Sequence, residues 1–391
     1  MSTKDLWISF WQLTTKVIFA KRPKVLFYYP QHFNRSVQAT NPFFDRMLGV
    51  CDSHGISYQL IEEPDWGTDK PRNKKAIKGD VLFILITIIR KIVLKCGVKD
   101  EINRERITAN VVDVLTLGRL LCEKYITISG SMLEIFIYLN EKAIVYDMQH
   151  GILYKQHPTF FDDQERIHYH VATQPRWHWL MWGRGYEECF CRGDEKILAG
   201  RIHVVGYPIS SNSGTDKQFD GQGILFSLQF THDYSNGELK RMKTKCEETL
   251  QQLEGKGVKV FLKHHPRFND AINIDEWKER FPFCELTKKS LTELLPDVML
   301  QLTFYSTTSF EYAENGIPSY FVDPENELKH HDDLFYREYR YPLYKGMTLS
   351  DVVERLQDDR LRKQDAEVIR KWYREFYDEF NEEEFIKVIE S

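Results

Sequence analysis

Short apolar runs of four to six residues recur along this 391-residue chain, each ending in a polar or Gly/Pro-containing turn. A run that is apolar at every position, rather than at alternate ones, has to be covered on both faces. That is the property of a parallel strand between two layers of helices. The runs fall in two sets. The first is Lys24–Tyr29, Tyr58–Ile61, Ala143–Tyr146, His178–Trp182 and Ile202–Val205. The second is Ile224–Leu228, Val258–Lys263, Met299–Phe304 and Ser319–Val322. Between them lies SSNSGTDKQFDGQG at 210–223, the clearest linker in the chain. Helical spacing separates many of the runs, at Asn41–Leu48 (Asn41 as cap, Pro42 at N1), Asn103–Leu121 (with Gly118 on its apolar stripe), Tyr186–Leu198, Gly237–Lys256, Leu291–Leu295 and Phe310–Asn315. This alternation predicts an α/β chain of two Rossmann-like, doubly wound domains. The expected division is 1–209, a linker at 210–222, a second domain at 223–349, and acidic C-terminal helices at 350–391.

Composition narrows the function. A net charge of -5 with 28% charged residues argues against a dedicated nucleic-acid binder, which is normally basic. Seven cysteines without a CxxC pair read as reduced thiols in a cytoplasmic protein. The N-terminal segment is amphipathic (Trp7, Ile8, Phe10, Trp11, Leu13) without the form of a signal peptide. The most apolar run, Val81–Leu94, carries Arg90 and Lys91 and is too short to span a bilayer. It lies in a basic stretch, 70–99, whose only acid is Asp80. Two readings stand: a peripheral element resting on an anionic membrane surface, on the inner face of the plasma membrane, or a buried element beside a solvated basic loop.

The polar clusters sit where doubly wound sheets bind ligands, at the carboxyl ends of strands. Ser306, Thr307 and Thr308 follow one run and open a helix bearing Glu311. Hydroxyls and N–H groups there suit a phosphate, and a carboxylate suits the two hydroxyls of a ribose. An ordinary Ser/Thr cap reads the same way. Lys263-His264-His265-Pro266-Arg267 supplies cations and donors at another strand end. Gln149-His150-Gly151 places an imidazole, whose unperturbed pKa of about 6.5 suits a base, at a third. Gly206-Tyr207-Pro208 reads as a structural turn. The acidic and histidine clusters at Asp162-Asp163, His168-Tyr169-His170 and His330-His331-Asp332-Asp333 lack zinc-site spacing, so no metal is expected. Walker A and GxGxxG sequences are absent.

In this order, the strand-end motifs QHG (149–151), MWG (181–183), VVGYP (204–208), LFSLQ (225–229), KHHP (263–266) and the hydroxyl run with E-x4-G-x-P (306–318) resemble GT-B glycosyltransferases. The likeness is to bacterial enzymes that build capsule, lipopolysaccharide or teichoic-acid polymers. It implies two Rossmann-like domains facing across a cleft, with a C-terminal helix, 365–389, that packs back across the first domain. The first domain would bind a saccharide or lipid-linked acceptor and the second a nucleotide-sugar donor. The His-Pro and Ser-Ser/Thr pairs of sialyl- and Kdo-transferases map to His265-Pro266 and Ser306-Thr307, with Lys263 and Thr308 beside them. The paired-acid base motif of sialyltransferases has no counterpart here. The His-Gly of CDP-glycerol glycerophosphotransferases maps to His150 as base, with Asp147, Asp162 and Asp163 in reserve. The ribose-binding Glu of UDP-N-acetylglucosamine 2-epimerases maps to Glu311. The implied activity is inverting and metal-independent glycosyl transfer with no cofactor. The rivals are a CDP-alcohol phosphotransferase and a non-catalytic assembly scaffold.

Overall fold

The computed structural model describes residues 3–36, 38–65, 67, 70–153, 170–191, 198, 200–209, 220–266, 268–269, 272–323 and 334–391. It divides into two compact units, Met1–Ser210 with Tyr377–Ser391, and Ser211–Phe376.

The first unit opens with helix α1 (Thr3–Gln12), continued by a π-helical turn, Leu13–Ile18. Then follow β1 (Val25–Pro30), α2 (Pro42–Ser53), β2 (Tyr58–Glu63), β3 (Ile77–Lys78), α3 (Asp80–Lys95), α4 (Glu101–Leu115), β4 (Lys124–Ile128), α5 (Leu133–Leu139), β5 (Ile144–Met148), β6 (Trp177–Met181), α6 (Arg184–Cys191) and β7 (Ile202–Val204). The seven strands are parallel, in the order β3-β2-β1-β4-β5-β6-β7. Local chemistry sets several helix starts: the Asn41 side chain accepts from Phe43 N–H ahead of α2, and Asp100 from Asn103 N–H ahead of α4. The apolar run at 81–94 is a helix, with Leu82, Ile86, Ile89 and Val93 buried and Ile88, Ile92 and Leu94 exposed. The expected helix over 103–121 stops at Leu115, because Leu117 and Gly118 turn into positive φ. The chain then enters β4, a fully buried strand that the sequence pattern did not reveal.

The second unit contains β8 (Gly223–Leu228), α7 (Asn236–Gln251), β9 (Val260–His264), α8 (Trp277–Arg280), β10 (Cys284–Leu286), α9 (Leu291–Leu294), β11 (Val298–Thr303), α10 (Thr308–Glu314), β12 (Ser319–Phe321), α11 (Leu349–Gln357) and α12 (Asp359–Phe376). Its five parallel strands run β10-β9-β8-β11-β12. Capping boxes at Ser235/Glu238 and Ser290/Glu293 start α7 and α9. One core joins β8, α7 and β11 to Val352, Val353 and Leu356 of α11. Trp372 of α12 stacks on Phe310 of α10 at 4.7 Å, and its indole N–H donates to the Tyr339 carbonyl at 2.7 Å. These contacts hold α11 and α12 to the second unit, whereas the sequence reading set all of 350–391 apart.

The last residues, with α13 (Glu382–Glu390), belong to the first unit. Their anchor is the turn after β7. Tyr207 N–H donates to the Asp378 carbonyl at 2.8 Å, Asn381 N–H to Val205 at 2.9 Å, and Asp378 N–H to Trp182 at 3.1 Å. Gly206 makes this approach possible: its φ is +82°, and a Cβ there would fall 2.1 Å from the Glu379 carbonyl oxygen. Gly206→Ala is therefore expected to cost about 2 kcal/mol or more of stability in urea unfolding, and to expose the segment after Phe376 to limited proteolysis.

Candidate functional site

Both sheets reverse direction beside their first strand, between β1 and β4 in one and between β8 and β11 in the other. Ligands of open α/β sheets bind outside the carboxyl ends of strands at such points.

In the second unit two buried carboxamides organise this edge. Just past β8, the Gln229 amide donates to the Tyr305 carbonyl, while its oxygen accepts from Thr303 O–H at 3.0 Å and Tyr305 N–H at 2.8 Å. On β11, Gln301 donates to Ser227 Oγ at 3.0 Å and Thr308 Oγ1 at 2.5 Å, and accepts from Ser319 at 2.9 Å. The hydroxyl turn is thus braced from beneath. Ser306 Oγ accepts from the Thr308 hydroxyl at 2.8 Å and from Thr308 N–H at 3.3 Å, which is also how a cap behaves. Thr307, between them, is exposed. Glu311 lies further along the first turn of α10, solvent-accessible; partial desolvation and the nearby Glu314 both raise its pKa.

His265 leaves β9 with its N–H on the Leu228 carbonyl at 3.1 Å, and its ring is half-buried beside the exposed Pro266. Because β8 lies between β9 and β11, His265 and Ser306 flank the end of β8 at about two strand spacings, roughly 10 Å. Lys263 is directed elsewhere: its ammonium donates to the Lys289 carbonyl at 2.5 Å. His264 packs against Phe268 at 3.7 Å, and burial lowers its pKa. Arg267 lies outside the described residues.

In the first unit His150 follows β5, exposed, with its ring edge-on to Phe33 at 5.7 Å. Gln149 does not reach that ring as an orienting group. Its amide donates to the Gly151 carbonyl at 2.9 Å and its oxygen accepts from Trp182 N–H at 2.9 Å, so it braces the turn. A methyl group at Gly151 would meet nothing within 4 Å, so the fold itself does not require glycine there. Asp147 is buried beneath the edge, accepting from Gly130 N–H at 3.4 Å and from Trp179, and burial raises its pKa to about 7. The other reserve acids, Asp162 and Asp163, and the clusters at 168–169 and 330–333 lie outside the described residues. Among the described residues no group of three or more His, Cys, Asp or Glu could hold a metal ion.

The structure adds a second histidine that sequence reasoning missed. His32, in the turn after β1, places Nδ1 2.7 Å from Asp65 Oδ2, and its ring lies 4.5 Å from Phe33, the residue that His150 also touches. A carboxylate on Nδ1 fixes the tautomer and presents Nε2, as in a base–orienter pair. Beside it Glu63 accepts the Ser131 hydroxyl, and burial raises its pKa. The surrounding loop is clamped by Arg72, which binds Asp80 in bidentate fashion at 2.9 and 3.0 Å and also pairs with the buried Glu62. The turn Pro30-Gln31-His32 read as a plain polar loop; only the fold brings Asp65 to it.

No family model and no curated protein sequence matches this chain. Solved structures do. The wall teichoic acid polymerase TagF, in a crystal soaked with CDPG, aligns over 99% of this chain and 95% of its own at 14% identity and a TM-score of 0.50. A UDP-glucosyltransferase from Polygonum tinctorium aligns over 95% and 99% at 10% identity and a TM-score of 0.50. The fold is of the GT-B type. Two parallel doubly wound sheets of seven and five strands with helices at the C-terminus make up this architecture. Identities this low establish the fold and leave the reaction to be argued from the residues.

The buried Asp147 gives a pH signature. Its folded pKa of about 7 lies above the ordinary carboxyl value, so the folded state favours the protonated form. The stability it supplies is whole below about pH 4 and is lost as pH rises toward 7. Asp147→Asn should remove that slope, raising stability at pH 8 by about 3–5 kcal/mol relative to the parent while leaving it nearly unchanged at pH 4. Urea melts across this range check it.

Proposed function

We propose that the chain is a glycosyltransferase that moves a sugar from a nucleotide-sugar donor to a saccharide or lipid-linked acceptor of a surface polysaccharide, in the cytoplasm. The observation that carries this reading is the pair of chemically different strand-end edges on a GT-B fold: histidine and hydroxyl donors around the end of β8 in one unit, imidazoles and carboxylates around the ends of β1, β2 and β5 in the other. The second unit would hold the nucleotide. His265 and the Ser306–Thr308 turn would donate to its phosphates, with Pro266 shaping the loop and Glu311 taking the ribose hydroxyls. Lys263 would contribute charge from one strand away, after releasing Lys289. The first unit would take the acceptor. His150 would accept the proton of the acceptor hydroxyl as its oxygen bonds to the anomeric carbon and the nucleotide phosphate departs with the electron pair, inverting the centre. No step in this scheme is assigned to a metal ion.

A second reading rests on the likeness to the polymerase soaked with CDPG: transfer of a phosphate-linked alcohol unit from a cytidine donor. The same pocket and the same histidine would serve. A donor labelled in its phosphate separates the two, since only phosphotransfer leaves label in the acceptor.

Two experiments test the assignment. A thermal-shift screen with UDP, CMP, CDP and GDP identifies the nucleotide. His265→Ala and the double change Ser306→Ala with Thr307→Ala should then each weaken it about tenfold or more by calorimetry, since charge-assisted contacts are worth about 1.5–3 kcal/mol. Unchanged affinity in both would reject the pocket. His150→Ala should reduce turnover about 10²–10⁴-fold at unaltered nucleotide affinity. A loss seen in His32→Ala and Asp65→Asn instead would transfer the base to the Asp65-oriented ring, and full activity in all three would discard both histidines.

A further inference from the structure

Helix α1 is turned inside out relative to an ordinary surface helix. Its inward row is polar. Ser9 is fully buried, donating to the Lys78 carbonyl at 2.6 Å and accepting from Val81 N–H at 2.9 Å. Gln12 accepts from Lys78 N–H at 2.8 Å, and Asp5 pairs with the Lys78 ammonium at 2.6 Å. The outward row is aromatic: Trp7 is 73% exposed and Trp11 68%, with Phe10 edge-on to Trp7, and Phe19 just beyond is 77% exposed. A helix stabilised by water would show the reverse pattern.

The neighbouring helices extend this face. α1 packs on α3 and α3 on α4. The outer side of α3 exposes Ile88, Ile92 and Leu94, and the outer side of α4 exposes Val111, Val114 and Leu115, with Leu117 beyond its end. The same segments carry exposed cations: Lys4, Lys16, Lys21 and Arg22 in and after α1, the last three lining a cleft with Asp45 and Asp52, and Lys91, Lys95 and Lys99 on and after α3. No acid occurs between residues 81 and 99, and Asp5 is spent on Lys78. Two further cations of this region are held in ion pairs: Arg72 binds Glu62 and Asp80, and Arg90 binds Glu105 at 2.6 Å.

We infer that α1 and the outer side of α3 form a docking face for an anionic phospholipid bilayer, on which the protein lies without spanning it. Tryptophans prefer the headgroup boundary, and lysines around them meet phosphate. Among the described residues no helix is long and apolar enough to cross a membrane. A second copy of the chain is a poor occupant, because a two-fold contact would set the two lysine rows against each other. The inference does not depend on the transfer reaction, and its test does not use activity.

The test is sedimentation of the full chain with vesicles of phosphatidylcholine alone and of phosphatidylcholine with about one third phosphatidylglycerol. The parent should sediment with the anionic vesicles, weakly with the neutral ones, and less as salt rises. Trp7→Ser with Trp11→Ser removes only exposed rings and should lower partitioning at least about tenfold at unchanged thermal stability. Lys91→Glu with Lys95→Glu should lower it by a similar factor on anionic vesicles alone. Failure of the parent to sediment, or full binding by the tryptophan variant, overturns the inference. So does ultracentrifugation showing a dimer that the tryptophan variant abolishes without any vesicle binding by the parent.

Discussion

A parallel strand buried on both faces leaves its chemistry only at its ends. β1, β8 and β11 are buried from first residue to last, so polar side chains near them must either pair inside the sheet or emerge beyond the final hydrogen bond. Gln301 and Gln229 show both outcomes. Gln301 is sealed within the sheet and satisfied by three hydroxyls, while Gln229 stands one residue past β8 and ties its end to the backbone of Tyr305. Together they hold the hydroxyl turn in place before any ligand arrives. A phosphate bound as proposed would meet donors already fixed, which lose little entropy on binding.

The first unit solves the same problem with charge. Glu62 and Asp80 are fully buried, and Arg72 satisfies both, closing the long connection after β2 onto the sheet edge. Buried ions hold when every partner is present and cost several kcal/mol when one is removed, so this clamp fixes geometry more than it adds stability. Around it stand carboxyls with raised pKa values, Glu63 and Asp147, and the Asp65–His32 pair. Such a set of acids and bases at one strand-end edge is compatible with the proposed proton transfer.

The outer helices of the same unit follow a different logic. Lys78, read from sequence as part of a basic patch, is the post on which α1 is hung. Its engagement by Asp5, Ser9 and Gln12 is what turns Trp7 and Trp11 outward. In the apolar run 81–94 one stripe of α3 is core and the other is exposed beside lysines.

Much was legible in the sequence because it is written in local pattern. Fully apolar runs mark parallel strands, and Asn41-Pro42 marks a helix start. The strand-end placement of His150, His265 and Ser306 follows from the same pattern. What the sequence withheld are relations between distant residues. β4 was hidden behind a helix that Leu117 and Gly118 end early, and with it the switch point beside Ser131. Asp65 meets His32 across 33 residues, and Lys263 reaches the Lys289 carbonyl rather than the end of β8. The direction in which a side chain points at a strand end, and the partner that claims it, depend on which strand lies alongside. Strand order is set by packing of the whole sheet, so only the tertiary structure decides it.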